Sequence, residues 1–158
     1  MINSPLHKTC CFTGHRELDA GFDREKLKRI IEKAAEIGFD TFLCGMARGF
    51  DSECFDVVAK LKREKRLTLI ACVPCVNQAR YYSQREKEEY EKRLKESDGV
   101  VYITDKDYTP GCMQKRNRFM VDNSGLVICY LNKSKGGTKT TVDYAAAKSR
   151  EIVNIYKK

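Results

Sequence analysis

The chain has 158 residues, 42% of them hydrophobic and 33% charged, enough apolar material to bury a substantial core without disulfides or metal. No signal peptide and no apolar run long enough to cross a membrane can be read in it, so the expectation is a cytoplasmic protein forming one domain over residues 1–158. The net charge of +8 makes polyanions candidate partners, yet the unbalanced cations gather in short segments, which suits a bounded anion better than a long basic groove and leaves nucleic acid open.

An apolar run from Lys8 to Thr13 predicts a first strand that stops at Gly14-His15-Arg16. Leu27, Ile30, Ile31, Ala34 and Ala35 recur at helical spacing within Phe22 to Ile37, and Gly38 ends that helix. Thr41 to Cys44 is a second strand. It leads through Gly45-Met46-Ala47-Arg48-Gly49-Phe50-Asp51 into a helix with Cys54, Val57, Val58 and Leu61 on one face. A third strand runs from Leu67 to Val73 and is broken by Pro74; the charged segment from Ala79 to Ser97 then reads as one helix, with Tyr82, Tyr90 and Leu94 available for packing. Asp98-Gly99 turns into a fourth strand ending at Ile103, and a polar loop from Thr104 to Gly111 precedes a helix from Met113 to Asp122. Leu126 to Leu131 and Ile152 to Ile155 are the last strands, separated by a basic loop from Lys133 to Gly137 and a helix from Thr138 to Ser149.

Continuous apolar strands alternating with helices predict a mainly parallel sheet of about six strands covered on both faces, a Rossmann-like α/β three-layer sandwich. Ligands of such sheets lie beyond the carboxyl ends of the strands where the strand order reverses, so the loops after strands one, two, four and five are the candidates.

Three of these loops carry unusual chemistry. In the second, Gly45 and Gly49 let the backbone approach a ligand, the amides opening the next helix favour an anion, Arg48 supplies a forked cation, and Asp51 is placed to cap the helix. The first, Thr13-Gly14-His15-Arg16, offers a hydroxyl, a flexible backbone, an imidazole and a guanidinium for phosphate or sugar. In the last, Gly136-Gly137-Thr138-Lys139-Thr140-Thr141 sets a glycine pair and hydroxyls at a helix start, a second anion site that is neither a Walker A loop nor a dinucleotide fingerprint.

Eight cysteines are present, but Cys10, Cys11, Cys44, Cys72 and Cys129 sit inside apolar runs and read as reduced core residues. The pair Cys72 and Cys75 has redox or zinc spacing, yet it ends a strand and no second close pair with histidines follows, so no metal and no cofactor are expected.

The four motifs TGHR, GMARGFD, the segment from Met113 to Ser124 and the glycine loop, in that order, resemble the SLOG superfamily, most closely its YpsA-like branch. The resemblance runs nearly end to end and implies the Rossmann-like fold and a nucleotide or nucleotide-sugar ligand. It also implies a homodimer, common among the resembling proteins, and relatives that include the LOG phosphoribohydrolases and the DNA-processing protein A group. Arg116 matches the arginine of the LOG segment, while Gln114, Asn117 and Thr141 stand where histidine, lysine and the glutamate would be, with Asp143 two residues late. Threonine cannot do the work of a glycosidase carboxylate, so a hydrolase needs Asp143 or an unrecognised acid. Ala47-Arg48-Gly49-Phe50-Asp51 resembles the turn that meets single-stranded DNA in the DNA-processing group, for which Tyr102, Tyr108 and Phe119 are the candidate stacking residues.

The leading expectation is therefore a sensor or sequestering protein that binds a small phosphorylated nucleotide, either ADP-ribose or NAD-related or a nucleoside monophosphate. Its site would be formed by Thr13, Gly14, His15, Arg16, Gly45, Ala47, Arg48, Gly49, Asp51, Arg116, Gly136, Gly137, Thr138 and Thr141. A nucleotide N-glycosidase using Arg116 and Asp143, and a single-stranded DNA-binding module, are the alternatives.

Overall fold

The computed structural model describes residues 2–156. A single 3-10 turn, Leu6–Lys8, leads into six strands that alternate with five helices: β1 (Thr9–Gly14), α1 (Arg24–Glu36), β2 (Thr41–Cys44), α2 (Phe50–Leu61), β3 (Thr68–Val73), α3 (Gln84–Glu96), β4 (Gly99–Tyr102), α4 (Cys112–Asp122), β5 (Leu126–Tyr130), α5 (Gly137–Ala147) and β6 (Glu151–Asn154).

All strands pair in parallel in the order β4-β3-β2-β1-β5-β6. The chain steps outward from β1 through β2 and β3 to β4, then returns to place β5 on the other side of β1. The strand order reverses between β1 and β5, and the crevice beyond their carboxyl ends is where this class of sheet holds its ligands. The expected α/β sheet of six strands is thus present.

Alternation along the central strand divides the core. Cys10 and Phe12 face the layer formed by α1, α2 and Tyr90 of α3, together with Phe42, Leu69, Ile128 and Tyr130; Cys11 faces α4 and α5, with Leu43, Val127, Met120, Val121 and Ala145. Among the described residues no helix is long and apolar enough to cross a membrane.

Helix starts follow their caps. Asp23 accepts from the Lys26 amide at 3.0 Å, so α1 begins at Arg24 rather than Phe22. The largest departure from the sequence expectation is the segment Ala79 to Ser97, which is not one helix. Ser83 accepts from the Glu86 amide while Glu86 accepts from the Ser83 amide at 2.9 Å, a reciprocal cap that starts α3 only at Gln84. Residues 74–83 are thereby released as a loop at the carboxyl end of β3.

Candidate functional site

A cleft of about 780 Å³ opens at the strand-order reversal and continues across the carboxyl ends of β1, β2 and β3. Its lining includes Thr13, Gly14, His15 and Arg16 after β1, Ala47, Arg48 and Asp51 after β2, Arg116 on α4, and Gly136, Gly137 and Thr138 at the start of α5. Arg80, Lys133 and Lys135 complete six cationic side chains, against the carboxylates of Glu17 and Asp51. A smaller cavity of about 160 Å³ adjoins it, sharing Ala47, Arg48, Asp51 and Tyr82.

The two sides of the reversal are tied together by polar contacts. The buried His15 accepts at Nε2 from the Asn132 amide at 3.1 Å, and Asp19 accepts from the Tyr130 hydroxyl at 2.5 Å and from Asn132 Nδ2 at 3.0 Å. Burial, and then the charge of Lys133, lower the His15 pKa, which keeps the imidazole neutral and its Nε2 an acceptor.

The turn after β2 is held from three directions. The Gly45 carbonyl accepts from Gln78 Nε2 at 2.9 Å and from Arg116 Nη1, while Tyr90 donates to Gln78 Oε1 at 2.9 Å. Arg116 is almost fully buried and also donates from Nε to Asn117 at 2.8 Å. Asp51 does not cap α2: Gly49 occupies the cap position, and Asp51 lies inside the first turn, where its Oδ2 accepts from the Ala47 amide at 3.1 Å. Burial pushes its carboxyl up to about 6, against the opposing pull of Arg116, the Ala47 amide and Arg16.

Gly14, Gly45 and Gly49 each stand where a side chain would collide with a neighbour. A Cβ on Gly14 would lie 2.5 Å from the Phe50 ring, one on Gly45 would lie 2.8 Å from Arg116 Nη1, and one on Gly49 would collide with the Arg16 carbonyl. Gly45 and Gly49 do not line the larger cleft. Gly136 and Gly137 differ, because a Cβ there would meet nothing within 4 Å. Among the described residues no side chain caps α5, and Gly136, Gly137 and Thr138 at its start line the cleft. Thr141 turns inward and donates to the Gly137 carbonyl at 2.8 Å. Asp143 lies outside the cleft lining, on the exposed side of α5, accepting from Lys139 at 2.5 Å.

Sequence reasoning missed the loop after β3, which contributes Gln78, Arg80, Tyr81 and Tyr82. The signal was the Ser83-to-Glu86 spacing of a capping box, which marks where the helix starts and leaves the tyrosines before it. Of the three aromatics named from the sequence, Tyr108 lines the cleft; Tyr102 is exposed on the edge strand β4 and Phe119 packs against the α4–α5 core. Cys75 faces Cys112 rather than Cys72, and burial raises its thiol. Among the described residues no group of three or more His, Cys, Asp or Glu side chains is placed to hold a metal ion.

A parallel sheet with a cationic cleft at its reversal point defines a Rossmann-like α/β protein with a crevice suited to an anion. The chain belongs to the YspA SLOG family, whose model, YpsA, matches residues 10–157. It is 27% identical over 135 residues to the uncharacterized SPbeta prophage-derived protein YoqJ of Bacillus subtilis, covering 77% of this chain and 79% of that one. To a UPF0398 protein of Lysinibacillus sphaericus it is 27% identical over 140 residues, covering 80% and 78%. DNA processing protein A of Streptococcus pneumoniae superposes with a TM-score of 0.71 at 16% identity over 91% of this chain, which spans about half (48%) of that protein. The Helicobacter pylori protein, solved in a study of its single-stranded DNA binding mode, gives 0.68 at 17% identity over 93% of this chain and 64% of that one.

Proposed function

We propose that the cleft binds a small phosphorylated nucleotide and that the protein acts as a sensor or sequestering protein. The observation that carries this reading is the uncapped start of α5, with Gly136 and Gly137 open to approach and Lys133 and Lys135 lining the same cleft. The positive end of the helix dipole, open amides and long cationic side chains are the chemistry of a phosphate site. His15 is engaged as a neutral acceptor and Asp143 lies outside the lining, so the residues favour holding a ligand over cleaving it with Asp143. Isothermal titration with AMP, ADP-ribose and NAD tests the reading. One of them binds, and the double variant Lys133→Ala, Lys135→Ala weakens it by about 1.5–3 kcal/mol for each charge-assisted hydrogen bond that the substitutions remove. Absence of binding by all three overturns it.

A second reading, single-stranded DNA binding, is favoured by the fold shared with DNA processing protein A, whose Helicobacter pylori form binds single-stranded DNA, and by the net charge of +8. It requires oligonucleotide affinity that falls steeply with salt and is not displaced by mononucleotides.

A further inference from the structure

We infer that the loops after β3 and β4 form a stacking platform for a nucleobase, built from Tyr81 and Tyr108 and fixed by Arg80. This rests on the reading of the cleft as a nucleotide site and assigns the end of it that the phosphate-binding groups leave unexplained. The Arg80 guanidinium carbon lies 4.6 Å from the Tyr81 ring centroid and 4.5 Å from that of Tyr108, so one cation holds two rings from different loops. All three residues line the cleft.

The two loops are stitched together. The Val76 amide donates to the Lys106 carbonyl at 3.0 Å, the Tyr108 amide to Asn77 Oδ1 at 2.8 Å, and Arg80 donates to the Asn77 carbonyl from its amide at 3.0 Å and from Nη1 at 3.3 Å. Asn77 therefore positions both the cation and one ring. Tyr81 nevertheless remains 81% exposed and Tyr108 43% exposed, so neither ring supports the core and both present open faces. Aromatic faces held at the rim of a cationic cleft stack on bases with little regard to base identity, because every base has a π-face.

The platform also fixes the ligand's orientation. Three strand spacings separate β5 from β3, roughly 14 Å at the usual interstrand distance. Phosphate at the α5 start and base at the tyrosines thus describe an extended molecule lying across the strand ends. That chemistry is shared by a free nucleotide carrying a second sugar phosphate and by a short single strand.

The test titrates wild type, the double variant Tyr81→Ala, Tyr108→Ala, the single variant Tyr81→Ala, and the double variant Tyr81→Phe, Tyr108→Phe with ADP-ribose, ribose 5-phosphate and oligothymidylate. Ribose 5-phosphate carries no base and isolates the phosphate end. Affinity for ADP-ribose or oligothymidylate falls by roughly ten- to a hundredfold in the double alanine variant and recovers in the phenylalanine variant, while ribose 5-phosphate is unaffected. Which of the two base-bearing probes responds identifies the source. Equal binding of both by the alanine variants overturns the platform and leaves the nucleotide reading standing. A parallel loss of ribose 5-phosphate, or no recovery with phenylalanine, also overturns it. If no probe binds wild type, the platform falls, and the nucleotide reading falls with it where AMP and NAD also fail to bind.

Discussion

Asp51 is a carboxylic acid buried beside the cleft, where burial disfavours its charge. Its carboxyl is raised to about 6 from the ordinary 3.8, so the folded protein binds this proton more tightly than the unfolded chain does. The contribution is therefore fully favourable below the unfolded value and is lost as pH rises through about 6, costing about 3 kcal/mol by pH 7. Asp51→Asn keeps an acceptor for the Ala47 amide and removes the charge. Urea unfolding between pH 4 and pH 7 should show a smaller fall in stability for the variant than for wild type. Gly49 makes a second prediction. It combines a φ of 79° with a flank closed by the Arg16 carbonyl, whereas Gly136, at a φ of 113°, has open space around it. Gly49→Ala should cost ~3 kcal/mol or more in denaturant unfolding, Gly136→Ala ~1 kcal/mol. The sequence made both glycines look alike as ligand-binding residues, because a residue string carries no record of what stands beside an absent side chain.

Among the secondary structures, α3 shows how one cap decides the shape of the cleft. Its reciprocal Ser83–Glu86 cap ends the loop that bears Arg80 and Tyr81, and Glu86 also lies 3.6 Å from Arg48 across the cleft wall. Ser83→Ala should lower stability by ~1 kcal/mol, measured by thermal or denaturant melting, with fraying confined to the first turn in amide hydrogen exchange. The strands were legible to within about a residue because their apolar runs are continuous, and α1 and α2 because their apolar positions recur every three or four residues. The start of α3 was not, since its exposed, charged first turns give periodicity nothing to register. The motif singled out Arg116, which lines the cleft. Its partner was not legible, because the Gly45 carbonyl lies 71 positions away in sequence and meets it only through the sheet order.

For the molecule as a whole, the reversal between β1 and β5 brings the loops together at one end of the sheet, and the alternation of elements along the chain already implies this. What the alternation could not give was the contribution of the β3 loop, which adds Gln78, Arg80, Tyr81 and Tyr82 to the cationic cleft. A ligand confined to the folded state should raise its stability by about 2.7 kcal/mol at a hundredfold excess over its dissociation constant, read as a rise in melting temperature. The cysteines provide an independent gauge of the same equilibrium. All eight are buried and none forms a disulfide: two lie in β1 at the centre of the sheet, one each in β2, α2, β3, α4 and β5, and Cys75 in the loop after β3. A thiol reagent therefore has no ready target in the native protein, and each modified site, mapped by mass, timestamps the opening of its own part of the fold. The chain carries its own set of reporters, and ligand-dependent slowing of their labelling would reveal which layers the ligand holds shut.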